Sequence, residues 1–539
     1  MPRWTAILLH GHGGVAVTAL AALAAVLIWR RSTPPASEVP QVSWAQLYVL
    51  VGVGALGVLT CLVLTTWYLF SPTYLDHIEA SAASAAQYFR LGIPLYPSLD
   101  AFTFHGLLYG PLLSELNSLG YALGSGVFAS KLVGWLAAWA AVGLILALPR
   151  GTAWTWAAAS TIVLYVLTAF GDALISDRAD SLLLLFAAAG LFSVARFSGL
   201  SALAMAALLA GGAAALKLHG PIYLVPALYW WAQERWTHEP SHRVSSWTLA
   251  AAVAAFAGLL GAVLPFLPAN VDVAGYFSYL VLAARHGLLV REFIWNCVCL
   301  AGLWAPVGLV WIAVRDVSRE LRVFAAVLFG LEAVVCVIGA KPGAGLHHLI
   351  PFMGYHALLL QRILQAAGKS LPEQAQAVRG ASAALLAALL GTAWVGATMF
   401  HDLLVFDRQE SAQRVTQQEL MRLAHRYPGG MLGVSDETSY TLTNFRPWLT
   451  LTGTPQVDYG ALMDLRFSGV SDEPLADAFL DCRIPYVFMP REGVPFSLQN
   501  HYGGPLFSEA VRFEFQRRYT LIEAGTRFDV FGCEKARPS

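Results

Sequence analysis

The sequence predicts an α-helical polytopic membrane protein with a C-terminal soluble α/β domain. Of its 539 residues, 57% are hydrophobic and only 13% are charged, whereas soluble chains usually carry about a quarter charged residues. The apolar residues form uninterrupted blocks, which excludes an ordinary soluble enzyme, a disordered protein and a coiled coil. Lys plus Arg and Asp plus Glu balance at 34 each, so no basic field favours binding to nucleic acid.

About twelve membrane helices are expected, because a bilayer core takes roughly 20 apolar residues of helix. The blocks lie near residues 15–29, 44–70, 127–148, 154–170, 181–196, 201–215, 221–231, 247–267, 293–314, 323–340, 349–364 and 381–400. Two of them, 201–215 and 221–231, are short and could form a broken hairpin that enters the membrane only partly. Residues 1–400 therefore form the predicted membrane domain, and a long connection at 71–126 joins its second and third blocks.

The basic residues predict the orientation of the chain in the membrane. Arg30 and Arg31 follow the first block and only Arg3 precedes it, so we expect a retained helix rather than a cleaved signal, with its C-terminal end in the cytoplasm. Alternation then places most basic residues between later blocks in the cytoplasm too. The connection 71–126 and residues 401–539 fall on the opposite side, which would be the periplasm if the membrane is a bacterial inner membrane.

Residues 401–539 differ in composition from the rest and predict the α/β domain. Strand-like runs lie at 431–434, 486–489, 511–515 and 527–531, with helix-like stretches at 410–425 and 474–482. Cys482 and Cys533 are the two cysteines of this region. They could form a disulfide in an oxidising compartment, and two unrelated buried thiols are the alternative.

Carboxylates at the membrane boundary are the first candidates for chemistry. Asp76 and Glu79 are three residues apart and share one face of a helix, where mutual repulsion can raise one pKa and keep a base poised. An ordinary helix N-terminus is the alternative interpretation. Glu115 follows in the same connection. Other ionisable residues lie at predicted helix ends on the same side, which favours function because such groups are costly there: Arg178, Asp180, Lys217, His219, Arg285, His286, Lys341, His347 and His348.

These motifs resemble the GT-C class of integral-membrane glycosyltransferases, which contains the protein O-mannosyltransferases and the lipid A aminoarabinose transferases. The similar segments are Asp76-His77-Ile78-Glu79, Tyr109-Gly110-Pro111-Leu112, Arg178-Ala179-Asp180, Lys217 before a Gly/Pro break, and the stretch from His347 to Pro351. A soluble α/β domain after the last helix is also common in that class. The sequence departs from the class at His77, where relatives often carry a second acidic residue. The missing carboxylate pair argues against a metal-dependent variant.

The resemblance implies a sugar donor linked to a polyprenyl phosphate, reached from the bilayer. The acceptor would be a hydroxyl of a glycolipid, a cell-envelope glycan or a protein, and the anomeric centre would be inverted. Asp76 is the expected base, with Glu79 or Glu115 as its orienting partner. Cations are expected at the departing phosphate, and the candidates are Lys217, Arg285, Lys341 and Arg178, the last of which could instead hold Asp180.

The four histidines of these helix ends leave the cofactor question open. His219, His286, His347 and His348 could orient the phosphate or sugar, or could coordinate a divalent cation, and simple polar anchoring is the alternative. No metal is assigned from the sequence. The C-terminal domain is expected to cover the site, to recognise the acceptor or to support the structure.

Two other functions are compatible with a polytopic chain. A transporter would explain the Gly/Pro-interrupted blocks, but it predicts ionisable residues near mid-bilayer and a repeat between two halves. A non-catalytic envelope-assembly subunit would use the C-terminal domain to bind a partner. The candidate charges lie on one side of the membrane and no repeat is found, which favours chemistry on a lipid-borne substrate.

Overall fold

The structure, a computed structural model, describes most of the chain between residues 44 and 534. The described residues are 44–105, 109–124, 126–148, 153–170, 174–197, 199–238, 244–314, 317–342, 344–367, 410–437, 439–500 and 503–534. The predicted membrane blocks at 15–29 and 381–400 lie outside these ranges.

Helices dominate the part before residue 368, as the apolar blocks predict. In chain order they are α1 (Trp44–Leu69), α2 (His77–Arg90), α3 (Pro111–Leu123), α4 (Gly126–Ala147), α5 (Ala153–Ala169), α6 (Ala179–Arg196), α7 (Leu200–Leu216), α8 (Val225–His238), α9 (Val244–Val263), α10 (Val273–Ala283), α11 (Val290–Ala313), α12 (Arg319–Ile338) and α13 (Met353–Ala367). Short 3-10 helices cover Gly220–Leu224, Leu264–Phe266, Ala284–His286 and Leu346–Phe352.

The helical membrane class is confirmed. Within the described ranges, six helices are long and apolar enough to cross a membrane. They contain Val51–Leu69, Gly126–Ala147, Ala179–Arg196, Trp247–Phe266, Val290–Ile312 and Arg319–Ile338. The expected total of about twelve stays a prediction.

Two glycines bring the connecting segments close to the membrane helices. A Cβ atom on Gly134 of α4 would lie 2.1 Å from the carbonyl oxygen of Ser176. One on Gly110, just before α3, would lie 2.1 Å from the carbonyl oxygen of Ala215 in α7. Only a residue without a side chain permits such approaches. Both contacts lie on the side of the helices where the connection 71–126 runs, which we call the loop side.

The C-terminal segment, residues 410–534, contains a four-stranded sheet and further helices. The helices are α14 (Glu410–Arg426), α15 (Arg446–Thr450), α16 (Tyr459–Phe467), α17 (Glu473–Leu480) and α18 (Glu509–Arg518), and a 3-10 helix covers Tyr440–Phe445. The strands are β1 (Met431–Leu432), β2 (Tyr486–Pro490), β3 (Tyr519–Glu523) and β4 (Phe528–Cys533), in the order β1-β2-β4-β3. β1 pairs with β2 in parallel, with Met431 opposite Val487, and the other pairings are antiparallel.

The strand predicted at 511–515 is wrong, because these residues lie inside α18. Val511 and Phe515 are buried four residues apart, while Phe513 between them is 58% exposed, which is the spacing of one helix face. Ser508 caps the helix by accepting from the amide of Val511. The short pattern of apolar and polar residues at 511–515 fits a strand as well as a helix. The capping residue Ser508 is the sequence signal that distinguishes the helix from the strand.

The C-terminal segment packs on the loop side of the membrane helices through a shared apolar core. Leu95 and Phe104 from the long connection and Tyr276 from α10 are buried together with Val457 and Leu462 of the C-terminal segment. The helices α15 and α16 also contact α2. The segment therefore lies directly against the connection 71–126.

Cys482 and Cys533 form a disulfide, with their Cα atoms 5.9 Å apart. The bond ties the chain after α17 to the end of β4. Among the described cysteines, Cys61, Cys297, Cys299 and Cys336 are free thiols. The pairing that the sequence left open is therefore present in the structure.

Removing this disulfide should destabilise the C-terminal segment. The bond closes a loop of 51 residues, and cross-links of that length stabilise a protein by about 2–4 kcal/mol. We expect the double variant Cys482→Ser, Cys533→Ser to lose that much free energy of unfolding. Denaturant titration of the purified protein, with and without a reducing agent, measures the loss. Reductant should lower the stability of the native chain and leave the variant unchanged. An equal response of both would contradict the prediction.

Candidate active site

Asp76 is held at the start of α2 by a capping box. Its side chain accepts a hydrogen bond of 2.9 Å from the amide of Glu79, and Glu79 accepts from the amide of Asp76 in return. The spacing Asp-x-x-Glu before a helix favours this reciprocal arrangement. The side chain of Asp76 remains 31% exposed. The cap thus fixes the backbone at Asp76 and leaves one carboxylate oxygen to other partners.

Glu79 is fully buried beneath Asp76. Its carboxylate accepts hydrogen bonds of 2.8 Å from the Tyr68 hydroxyl and of 2.8 Å from the Leu75 amide. Burial raises the pKa of Glu79, and the neighbouring Asp76 raises it further. Its contacts are with the backbone and Tyr68, so its geometry suits an orienting partner of Asp76 rather than a group that meets substrate.

Arg178 links three segments of the chain on the loop side. Its Nη1 atom lies 2.6 Å from Oδ2 of Asp76, and its Nη2 atom donates to Nε2 of His347 at 2.9 Å. Its Nε atom lies 3.4 Å from Oδ2 of Asp180, in the first turn of α6. Arg178 is itself the residue before α6, where the acidic Asp180 is favoured by the helix dipole. One buried guanidinium therefore joins α2, α6 and the 3-10 helix Leu346–Phe352.

Lys217 extends this chain of alternating charges. It follows the last residue of α7, and its Nζ atom lies 2.8 Å from Oδ1 of Asp180. The same Nζ atom lies 5.0 Å from the ring centre of Tyr109. Burial lowers the pKa of Lys217, and the Asp180 carboxylate opposes that shift. The order Asp76, Arg178, Asp180, Lys217 pairs each buried charge with an opposite one, which offsets the cost of burial.

Three histidines line the same region. The rings of His219 and His348 stack with centres 5.1 Å apart, and those of His347 and His348 lie 4.6 Å apart. The His348 ring donates from Nδ1 to the carbonyl of Gly345 at 2.8 Å. Burial lowers the pKa of all three histidines, and positive neighbours, including Lys217, lower it further. They are therefore neutral near pH 7 and can each donate one hydrogen bond. Nε2 of His219 is buried without a hydrogen-bond partner among the described residues.

Glu115, Arg285 and Lys341 belong to segments other than those that Arg178 joins. Glu115 is half-buried in α3, and its Oε1 atom has no hydrogen-bond partner in the described structure. Arg285 is exposed in the 3-10 helix Ala284–His286, and the side chain of His286 lies outside the described part. Lys341 is half-buried and influences the pKa of His219 and of Asp464 in the C-terminal segment. Arg285 thus stays a prediction, and Lys341 faces the junction with the C-terminal segment.

Sequence reasoning assigned no role in the site to three residues that support it, of which Lys131 and Asp177 are buried and Tyr109 is half-buried. Lys131 of α4 donates to the carbonyls of Tyr68, Ser71 and Thr73, where α1 ends. Asp177 is fully buried, and its side-chain oxygens have no hydrogen-bond partner in another described residue; burial raises its pKa. Tyr109 contacts Lys217 and Arg178. Lys131, a cation within an apolar block, was the one signal that could have been found.

The described histidine, cysteine and acidic side chains do not assemble a metal site. In those parts of the chain, no group of three or more of them could hold a metal ion. The His219, His347 and His348 cluster lies beside Arg178 and Lys217, with Asp180 as its neighbouring carboxylate. Two cations and neutral histidines are donors that suit an anion.

Comparison of the whole structure with known proteins finds a similar fold. No family model and no curated protein matches the sequence. The structure is similar to the crystal structure of ArnT from Cupriavidus metallidurans bound to undecaprenyl phosphate, with a TM-score of 0.53 and 13% identity over 90% of this chain and 99% of that chain. It is also similar to the apo state of that protein, with a TM-score of 0.54 and 13% identity over 88% and 97% of the two chains. The resemblance to the GT-C class is therefore confirmed as a likeness of fold.

The half-buried carboxyl of Glu115 predicts a pH effect on stability. Burial raises its pKa to about 7 from an ordinary value of 4.5. Because the folded state then holds the proton more tightly, the free energy of unfolding should fall as the pH rises from about 4.5 to 7. Glu115→Gln removes this loss. We expect equal thermal stability of variant and native chain at pH 4.5, and a gain of about 1 kcal/mol for the variant at pH 8, since partial exposure screens the effect.

Thermal unfolding of both proteins across this pH range measures the difference. Glu79→Gln is not a suitable control, because Glu79 holds the cap of α2. A Glu115→Gln variant that is less stable than the native chain at pH 8 would show that the carboxylate is stabilised by a partner.

Proposed function

We propose that this chain is a membrane glycosyltransferase that moves a sugar from a polyprenyl-phosphate donor to a hydroxyl acceptor on the loop side. The observation that carries the proposal is the exposure of one carboxylate within a buried charged network. Asp76 is 31% exposed, whereas the side chains of Asp180 and Glu79 are almost completely buried. The fold supports it too, because the similar ArnT structure holds undecaprenyl phosphate.

Asp76 is the general base in this proposal. The acceptor hydroxyl attacks the anomeric carbon, and its proton passes to the carboxylate of Asp76 as the new carbon–oxygen bond forms. A positioned carboxylate contributes about 10²–10⁴-fold to such a step. Oδ1 of Asp76 accepts from the amide of Glu79 and Oδ2 from Arg178, and the 31% exposure of the side chain leaves it open to substrate. Glu79 orients Asp76 from beneath through the capping box.

The departing lipid phosphate requires positive charge and hydrogen-bond donors. The anomeric carbon–oxygen bond to the phosphate breaks, and the phosphate leaves with the electron pair as a monoester anion. Arg178 and Lys217 are the buried cations of the network, and neutral His219 and His347 can donate to phosphate oxygens. Fixed cations of this kind stabilise a charge that develops during reaction. Direct attack opposite the phosphate inverts the anomeric centre.

Two features of the chain support a site on the outer side of the membrane. The Cys482–Cys533 disulfide lies in the segment that packs on the loop side, and disulfides persist in oxidising compartments. The distribution of basic residues also favours a non-cytoplasmic location for this side. We therefore propose a bacterial inner-membrane protein with a periplasmic site, whose acceptor is a glycolipid, an envelope glycan or a protein.

A transporter is the second candidate, and one observation favours it. Glu332 of α12 is fully buried within a membrane helix, where it accepts from Nε1 of Trp304 at 2.6 Å and pairs with Nε2 of His356. Ionisable residues at membrane depth mark transport pathways by default. Both members of this pair have no exposed surface. We therefore favour a structural role for this pair, which joins α11, α12 and α13, over a role in transport.

Substitution of Asp76 tests the proposed reaction. We expect Asp76→Asn to lower sugar transfer by about 10²–10⁴-fold, since Asn cannot accept the proton. Asn still caps helices well, so the fold should persist. The measurement is transfer from a panel of polyprenyl-phosphate sugars, with purified protein in lipid nanodiscs and glycolipid, glycan or protein acceptors. Binding of undecaprenyl phosphate should change less than threefold.

The matched control is Asp272→Asn. Asp272 caps α10 by accepting from the amide of Gly275 at 3.0 Å, so the substitution is chemically identical at a helix start away from the network. The control should retain full transfer. Equal activity of the Asp76→Asn variant would remove Asp76 from the mechanism. Absence of transfer by the native chain with every donor, together with uptake of a lipid-linked substrate into vesicles, would favour the transporter.

A further inference from the structure

Arg446 in the C-terminal segment is the largest of the fully buried side chains in the described structure, with 1% exposure. It opens α15, and its guanidinium reaches out of the C-terminal segment into α2. Its Nη2 atom donates to the carbonyl of His77 at 3.1 Å and to the Ser81 hydroxyl. The same atom lies 3.2 Å from Oδ1 of Asp458. The side chain therefore joins the C-terminal segment to the residue that follows Asp76.

The stability of α2 does not explain this contact. A positive charge in the first turn of a helix is opposed by the helix dipole, and Arg446 lies against that turn. Asp458 compensates the charge, and its Oδ1 atom also caps α16 by accepting from the amide of Ala461 at 3.1 Å. The pair is almost completely buried, and burial of two charges costs free energy that close pairing only partly offsets.

Neighbouring contacts hold the chain on both sides of Asp76. Trp448 donates from Nε1 to the carbonyl of Pro72 at 3.1 Å, four residues before Asp76. The ring of Tyr440 lies 5.2 Å from that of His77, one residue after it. A Cβ atom on Gly460 would lie 2.7 Å from the His77 ring. The C-terminal segment thus contacts the chain on both sides of Asp76, while Arg178 of the membrane part binds the Asp76 carboxylate.

We propose that Arg446 is a positioning residue that sets the start of α2, and with it the carboxylate of Asp76, against Arg178. The C-terminal segment then controls the reaction through this buried contact, whatever acceptor it meets. Loss of Arg446 removes its bonds to the His77 carbonyl and the Ser81 hydroxyl, which loosens the capping box and lets Asp76 move relative to the donor. The effect on turnover rests on the proposed glycosyltransferase function, whereas the effect on α2 does not.

Amide hydrogen exchange and turnover test the two effects separately. In Arg446→Gln, the amides of residues 77–81 should exchange at least tenfold faster than in the native chain. The kcat for sugar transfer should fall at least tenfold, while the KM for the donor changes less than twofold because Arg178 and Lys217 remain. Arg446→Lys should recover part of both losses. The double variant Arg446→Gln, Asp458→Asn leaves no unpaired buried charge and serves if the single variant fails to fold.

Arg466→Gln is the matched control. Arg466 forms an ion pair with Asp472 at 3.3 Å and donates to the carbonyls of Leu506 and Val470, all within the C-terminal segment. It should reduce stability without faster exchange in residues 77–81 and without a change in kcat. Native exchange at 77–81 in folded Arg446→Gln or its double variant would overturn the proposal, as would unchanged kcat in an active enzyme. Faster exchange in a chain that transfers no sugar would support the positioning contact and reject the glycosyltransferase.

Discussion

The ion pair between Arg178 and Asp76 is the contact on which the arrangement of the site depends. It joins α2, which lies in the connection on the loop side, to the start of the membrane helix α6 at 2.6 Å. The same guanidinium contacts Asp180 and His347, so three separate segments meet at one side chain. Arginine suits this position because its planar fork of donors can serve several acceptors while remaining charged. Without it, the site carboxylate would have no fixed relation to the buried cation Lys217.

Alternation of charge explains how so many ionisable groups are buried together. Each buried ion costs several kcal/mol unless it is paired, and the series Asp76, Arg178, Asp180, Lys217 leaves no like charges adjacent. Glu79 lies just behind this series, and burial raises its pKa instead. The histidines remain neutral for the same reason. An incoming phosphate would add negative charge next to two cations, which is the one change that this balanced network accommodates favourably.

Much of the membrane fold and the local part of the site could be predicted from the sequence. Apolar blocks locate the helices, and Asp76-His77-Ile78-Glu79 carries its capping signal within four residues. The contacts between residues that are far apart in the sequence could not be predicted. Arg178 lies 102 residues from Asp76 and 169 from His347, and Arg446 lies 369 from His77. Charges at helix ends predict a site on one side, but they do not decide which of the side chains meet. Glu115 and Arg285 were therefore grouped with Asp76 and Arg178, with which the described structure gives them no hydrogen bond or ion pair.

The likeness to ArnT, at 13% identity, concerns the fold, so the chemistry must be argued from this chain's own side chains. The C-terminal segment matters to that argument because it shares a core with the connection that carries Asp76. Two parts of the structure therefore meet around one carboxylate: Arg178 of the membrane part binds its oxygen, and the C-terminal segment contacts His77 and Pro72 on either side of it.

A double-mutant cycle on sugar transfer tests the central claim most directly, with Asp76→Asn, Arg178→Gln and the two combined. If the pair acts as one unit, each single variant should lose at least about 100-fold in kcat/KM, and the loss in the double variant should be clearly smaller than the product of the two single losses. Losses that multiply in the double variant would mean that the two residues act independently. That result would contradict the account, since the ion pair would then not organise the site.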